Sequence, residues 1–232
     1  MIKNKKILIT GGSSGLGKAL VNYLLLGKNK IYCLGRSKIK NKNLRSEKCN
    51  FKNIKIIKKK LRKLLNTKEL DYVFLNAGIL GKIKKINQVN YKEIDEIFKV
   101  NVFANKEILD YLFEKKIKTK LIVAISSGAA LSPKIGWFLY CSSKAAFKFL
   151  IESYALEDIK RKFINISPGL IKTRMQKQIC KVDEKKISSV KKFKILNKTN
   201  QVPSADEVAK NIIKTVKKAN KASGSYLDIR KK

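Results

Sequence analysis

A chain of 232 residues with 44% apolar side chains is long enough to bury a two-sided sheet, and a single domain over residues 1–232 is expected. It contains no histidine, which excludes His-based triads, HExxH metalloprotease sites and Cys/His zinc modules, and no metal site is expected. The net charge of +37 favours anionic ligands, but 48 of the 54 cations are lysines spread from end to end, which predicts non-specific polyanion contact rather than base readout.

No apolar stretch approaches the ~20 residues that span a bilayer, so membrane insertion is not expected. The first ten residues lack the long apolar core of a secretory signal. Cys33, Cys49, Cys141 and Cys180 are scattered without a CxxC pair, as free thiols in a reducing compartment would be. A cytoplasmic protein is expected.

Strand-length apolar runs alternate with longer helical patterns, which predicts βαβ units and a parallel sheet. Lys6–Thr10 is the first strand, followed by a helix from Gly15 to about Leu26 with Leu16, Ala19, Leu20, Tyr23 and Leu24 on one face. Lys30–Leu34 is the second strand, and a short strand is expected to end near Cys49–Phe51. Lys52–Leu65 reads as a basic helix and Tyr72–Leu75 as a buried strand. Tyr91–Phe113 reads as one long helical region, Leu121–Ser126 as a buried strand and Phe138–Leu156 as a long helix. Phe163–Ile166, a helix at Ala205–Lys218 and a strand at Ser225–Ile229 complete the pattern. The lysine-rich stretch Lys181–Lys198 is expected to be a loop or loosely packed lid.

Between the first strand and the first helix lies Thr10-Gly11-Gly12-Ser13-Ser14-Gly15-Leu16-Gly17. Glycines there let backbone approach a pyrophosphate, whose charge the exposed N–H groups of the helix start stabilise. Tyr140-Cys141-Ser142-Ser143-Lys144 places a phenol and an ammonium four residues apart on one helix face. The cation there is expected to bring the phenol below its ordinary pKa of ~10. A chain so rich in lysine produces such pairs by chance, so the neighbouring elements decide. Ser127 stands thirteen residues earlier, just past a buried strand, where a hydroxyl would meet a substrate carbonyl. Asn76-Ala77-Gly78 follows another strand at the same sheet edge, and Asn101 is a polar amide among apolar helix residues.

The segments TGGSSGLG, LNAG, Asn101, Ser127, YCSSK and Ser167-Pro168-Gly169 closely resemble, in order and spacing, the short-chain dehydrogenase/reductase family, over essentially the whole chain. The resemblance implies a doubly wound Rossmann-type domain with a mostly parallel seven-stranded sheet. It implies an enzyme that moves a hydride between a nicotinamide cofactor and a carbonyl–alcohol pair, with a small-molecule substrate and a homodimeric or homotetrameric assembly. The implied catalytic residues are Asn101, Ser127, Tyr140 and Lys144: Ser127 polarises the carbonyl, Tyr140 exchanges the proton, Lys144 lowers the Tyr140 pKa and binds ribose, and Asn101 holds a water. The implied cofactor contacts are Gly11, Ser13, Ser14, Gly15, Leu16 and Gly17 at the turn, Asn50 near the adenine, and Asn76, Ala77 and Gly78 beside the sheet. Tyr140, Lys144, Pro168, Gly169 and Thr173 lie toward the nicotinamide.

The cofactor type follows from charge. An NAD site places Asp or Glu after the second strand, but here that strand runs into Gly35-Arg36-Ser37 and no carboxylate occurs from Met1 to Ser46. A guanidinium at Arg36, with Ser37 as a further donor, matches a 2′-phosphate, so NADP(H) is expected. The pocket residues Ala129, Leu131, Trp137 and the region from Leu170 to about Pro203 are mostly apolar, with Lys134 nearby. A catalytically silent NADP(H)-binding or polyanion-binding protein on the same fold stays open at this point.

Overall fold

The computed structural model describes residues 1–218 and 221–230. Its strands are β1 (Lys6–Thr10), β2 (Lys30–Gly35), β3 (Leu44–Lys48), β4 (Glu69–Leu75), β5 (Lys118–Ile125), β6 (Lys162–Ser167) and β7 (Tyr226–Asp228). They form one sheet in the order β3-β2-β1-β4-β5-β6-β7, with every adjacent pair parallel. The α/β fold and strand count agree with the sequence reading, and the sheet is wholly rather than mostly parallel.

The α-helices are α1 (Gly15–Leu25), α2 (Ile57–Leu64), α3 (Tyr91–Phe98), α4 (Ala104–Glu114), α5 (Phe138–Glu157), α6 (Arg174–Cys180), α7 (Lys191–Lys198) and α8 (Ala205–Lys218). Apolar side chains of α1 and α8 pack with Ile7, Ile9, Ile31 and Ile164 on one sheet face. Those of α2, α4 and α5 pack with Leu8, Val73, Ile122 and Phe163 on the other. Alternating residues of one strand therefore enter different cores, which is why these strands read as continuous apolar runs.

The short strand expected to end near Cys49–Phe51 is β3, which ends at Lys48; as the edge strand it carries the mostly polar sequence LRSEK, which gives little apolar signal for its start. Three expectations need correction. The predicted helix at Tyr91–Phe113 is interrupted by a π-helical segment, Lys99–Phe103, between α3 and α4. The basic helix predicted at Lys52–Leu65 is shorter, a 3₁₀ turn at Ile54–Ile56 leading into α2. The stretch Lys181–Lys198 is not a loop: it holds a 3₁₀ turn at Ser188–Val190 and all of α7. Ile187 and Val190 are buried there, and Phe193 packs beside them. Three apolar residues spaced by three among lysines anchor one face of a solvated helix.

Candidate active site

The ends of β1 and β4 are tied by Thr10. Its buried hydroxyl oxygen accepts from the backbone N–H groups of Asn76 (3.0 Å) and Ala77 (2.9 Å). The Asn76 amide donates back to the carbonyls of Thr10 (2.9 Å) and Gly11 (3.4 Å). This crosslink holds the glycine turn against LNAG at the C-terminal sheet edge. Gly11 adopts φ +72°, in the left-handed region. A Cβ on Gly17 would sit 2.1 Å from the Gly11 carbonyl oxygen, so α1 starts against the turn only because Gly17 has none. Ser14 caps α1 with no side-chain bond to it, and no acidic residue occupies the first helical turn. Ser13 is half-buried and Gly15 exposed, whereas the Leu16 side chain is core, leaving only its backbone toward a ligand.

Beyond β2, Arg36 and Ser37 are both exposed. Glu47, the first carboxylate of the chain, is buried and faces Lys60 (3.5 Å) and Lys63 (3.7 Å). Asn50 stands just past β3 and beside the end of β2, since the Cys49 N–H donates to the Gly35 carbonyl (2.7 Å). Its own Oδ1 accepts from the Lys52 N–H (3.1 Å).

Ser127 follows β5 in an extended conformation, and its Oγ accepts from the Ala129 N–H (3.1 Å). Tyr140 is in the first turn of α5, where its phenol is near enough to the Ser127 hydroxyl to be influenced by it. One turn on, Lys144 is 4% exposed, and its Nζ donates to the Ile125 carbonyl (2.8 Å). Asn101 lies in the π-helical segment. Its Oδ1 accepts from the Ile79 N–H (2.8 Å), and its Nδ2 donates to the Ile79 carbonyl and to Ser143 Oγ (both 2.9 Å). Gly78 faces this group: a Cβ there would be 3.3 Å from Asn101 Oδ1 and 3.6 Å from Lys144 Nζ.

The expected electrostatics are reversed. Burial pushes the Tyr140 phenol up to about 12, with the nearby Ser127 hydroxyl pulling the other way. Burial also brings Lys144 down to about 8. The Lys144 Nζ is 6.0 Å from the Tyr140 ring centre and bonded elsewhere, so desolvation outweighs the attraction expected from the spacing.

Pro168-Gly169 follows β6, and Thr173 caps α6, its Oγ1 accepting from the Gln176 N–H (3.5 Å). A Cβ on Gly15 would lie 3.5 Å from Thr173 Cγ2, so the Thr173 side chain stands against the glycine turn. Sequence reasoning missed three contributors. Thr10 was only part of a motif. Phe193 stacks on Trp137 at 5.0 Å, and Trp137 in turn meets Tyr140 edge-on at 6.1 Å. Ser189 accepts from the Trp137 indole N–H (3.0 Å) and donates to the Ile135 carbonyl (2.7 Å). Trp137 belongs to a buried apolar cluster with Leu80, Ala129, Ile179 and Val190, against which Tyr140 and Phe193 pack. Leu131 is exposed rather than part of that cluster.

A model of the short chain dehydrogenase family matches residues 5–184. The chain is 28% identical over 238 residues to benzil reductase ((S)-benzoin forming) of Bacillus subtilis (strain 168), covering 96% of this chain and 97% of that protein. It is 31% identical over 221 residues to an uncharacterised oxidoreductase of Schizosaccharomyces pombe, covering 89% and 88% of the two chains. Among solved structures, a short-chain dehydrogenase/reductase from Saccharomyces cerevisiae superposes with a TM-score of 0.87 at 23% identity, over 97% of this chain and 96% of that one. ElxO with NADP bound superposes with a TM-score of 0.78 at 25% identity, over 97% of each chain. The chain belongs to the short-chain dehydrogenase/reductase family, oxidoreductases that bind a nicotinamide cofactor and transfer hydride.

Proposed function

We propose that the protein is an NADP(H)-dependent carbonyl reductase in which Tyr140 donates the proton to the substrate oxygen. The observation that carries this reading is the Ser127–Tyr140 hydroxyl pair at the C-terminal sheet edge, with Lys144 one helical turn away. The glycine turn fits a pyrophosphate, because Gly15 is exposed with φ +52° at the start of α1 and no acidic residue stands in that first turn. The bound cofactor would supply the hydride. The groups of this chain would do the rest.

Ser127 would hydrogen-bond the carbonyl oxygen as charge builds on it. Tyr140, raised to about 12, stays a neutral phenol at pH 7 and so is equipped to give a proton. Lys144 would reach ribose hydroxyls, exchanging its bond to Ile125 for them. Asn101, whose amide is fully engaged by Ile79 and Ser143, would position this end of α5 rather than touch substrate. At the other end, Arg36 and Ser37 would bind the 2′-phosphate, a role supported by the missing carboxylate and by the engagement of Glu47 with Lys60 and Lys63. Ser13 and Ser14 would face the pyrophosphate, Asn50 the adenine, and Pro168-Gly169 and Thr173 the nicotinamide.

The apolar, aromatic surroundings of Tyr140, with Trp137 edge-on to it and Phe193 stacked behind, favour an apolar, aryl-bearing ketone. Benzil, the substrate named for the Bacillus subtilis relative, is the first compound to test. The experiment is NADPH consumption with benzil and a panel of aliphatic, sugar and acyl carbonyls. Turnover of aryl ketones supports the reading, and turnover confined to sugars or charged carbonyls contradicts it. We further place the protein in the cytoplasm as a single catalytic domain that forms a homodimer or homotetramer, with only salt-sensitive, non-specific nucleic-acid contact. No helix among the described residues is long and apolar enough to cross a membrane.

A further inference from the structure

A cavity of about 410 Å³ opens at the N-terminal edge of the sheet, between the ends of α2 and α4 and the residues that lead into β4 and β5. Those parallel strands run seven and eight residues toward the edge that carries Asn76 and Ser127, so the cavity lies roughly 20–25 Å from the glycine turn and Tyr140. Apolar Leu65 and Ile117 line it together with Tyr111, Arg62, Lys68 and Lys115. The chemistry described above uses none of these residues.

Arg62, Lys68 and Lys115 have no carboxylate partner among the described residues. The acids on the same elements are engaged elsewhere: on α4, Glu107 and Glu114 face Lys58 and Asp110 faces Lys106, while on β4 Glu69 faces Lys6 and Asp71 faces Lys5 and Lys120. Cations are favoured at helix C-termini, but the helix ends do not consume these three. The Tyr111, Leu112 and Phe113 carbonyls that end α4 accept from the N–H groups of Lys115, Ile117 and Lys116, and the Lys63 carbonyl of α2 accepts from Arg45. Tyr111 is only 5% exposed, yet its hydroxyl has no hydrogen-bond partner among the described residues. Burial pushes this phenol up, and the Arg62 charge is near enough to draw it the other way. Buried hydroxyls ordinarily find a partner, and one beside a cavity ringed by three cations is placed to donate to an anion.

We propose that this cavity is a further anion site, separate from the glycine turn, that binds a small phosphomonoester with an apolar body. A phosphomonoester offers three acceptor oxygens and about two negative charges, which suits three cations and a phenol better than the single charge of a carboxylate. The Arg62 guanidinium supplies paired donors, Lys68 and Lys115 supply point charges, and the Tyr111 hydroxyl donates. Leu65 and Ile117 meet the ester group. The volume falls within the ~300–1,000 Å³ of small-molecule sites. Binding is non-covalent and joins the ends of α2 and α4 to the entry of β4, so it stabilises the folded chain. The site stands whether or not the protein reduces ketones.

Phenyl phosphate is the probe, titrated calorimetrically at ~150 mM NaCl, where the long-range attraction of a +37 chain is screened. The native protein should show one saturable site. Arg62→Gln should weaken it ~10-fold or more, the loss of a charge-assisted contact. Tyr111→Phe should weaken it ~3–10-fold while the melting temperature stays level or rises, because the hydroxyl removed has no protein partner. Benzoate, with the same ring and one charge, should bind more weakly than phenyl phosphate. A control that changes Lys28, Lys30 and Lys42 together to Gln removes three exposed charges near the starts of β2 and β3 and should leave the affinity unchanged. No binding, or binding that never saturates, overturns the site. So does a control triple that weakens binding as much as Arg62→Gln, which would show charge attraction alone. Saturable binding untouched by Arg62→Gln and Tyr111→Phe would put the phosphate elsewhere on the chain, and benzoate binding as tightly as phenyl phosphate would remove the phosphate assignment.

Discussion

The Lys144 ammonium stands 6.0 Å from the centre of the Tyr140 ring, and burial moves both groups toward neutrality, the phenol upward and the amine downward. Below about pH 8 the folded protein carries a buried Lys144 charge that the unfolded chain keeps in water, so the penalty is complete. Between about 8 and the ordinary 10.5 the unfolded state binds more protons, and stability rises with pH. Lys144→Met should therefore be the more stable protein near pH 7, by up to ~3 kcal/mol, and the gap should close toward pH 10.5. Urea denaturation of both proteins across that range measures it. A gap independent of pH would show that the amine does not titrate low.

Arg36→Asp should weaken NADPH binding by ~10–100-fold, the loss of a charge-assisted contact, and leave NADH unchanged or improved. Titration calorimetry with both cofactors decides it. Equal affinities in the unmutated protein would remove the 2′-phosphate role.

Much of this was legible in the sequence because strand and motif coincide: a buried apolar run followed by Gly, Asn or Ser marks the sheet edge where ligands bind. Asn101 was legible as a residue but not as a conformation, since apolar side chains continue through the π-helical segment at helical spacing. The start of the edge strand β3 and helix α7 were hidden for a different reason. In β3 only Leu44 and Glu47 are buried, and α7 has no fully buried side chain and lysine at four of its eight positions. The Tyr140 shift was misread because residue spacing reports charges but not the dehydration around them.

Thr10→Val keeps the shape but removes the acceptor for two backbone N–H groups, and should cost ~1–3 kcal/mol of stability. Thr10→Ser should recover most of it. Denaturant midpoints that match in all three proteins would show the crosslink between β1 and β4 to be inert.

Phe103, Phe149 and Leu156 are large apolar side chains left exposed on the π-helical segment and α5. If copies of the chain pair through these helices, Phe149→Glu should shift the protein toward monomer by sedimentation while leaving its melting cooperative. A native protein already monomeric at micromolar concentration would contradict the pairing.

The most direct measurement is the turnover of Tyr140→Phe. The substitution removes one oxygen and keeps the ring that meets Trp137. NADPH affinity and folding should change little, while ketone reduction should fall by ~10²–10⁴-fold. A Tyr140→Phe protein that reduces the same ketone at the native rate would show that the proton comes from another group.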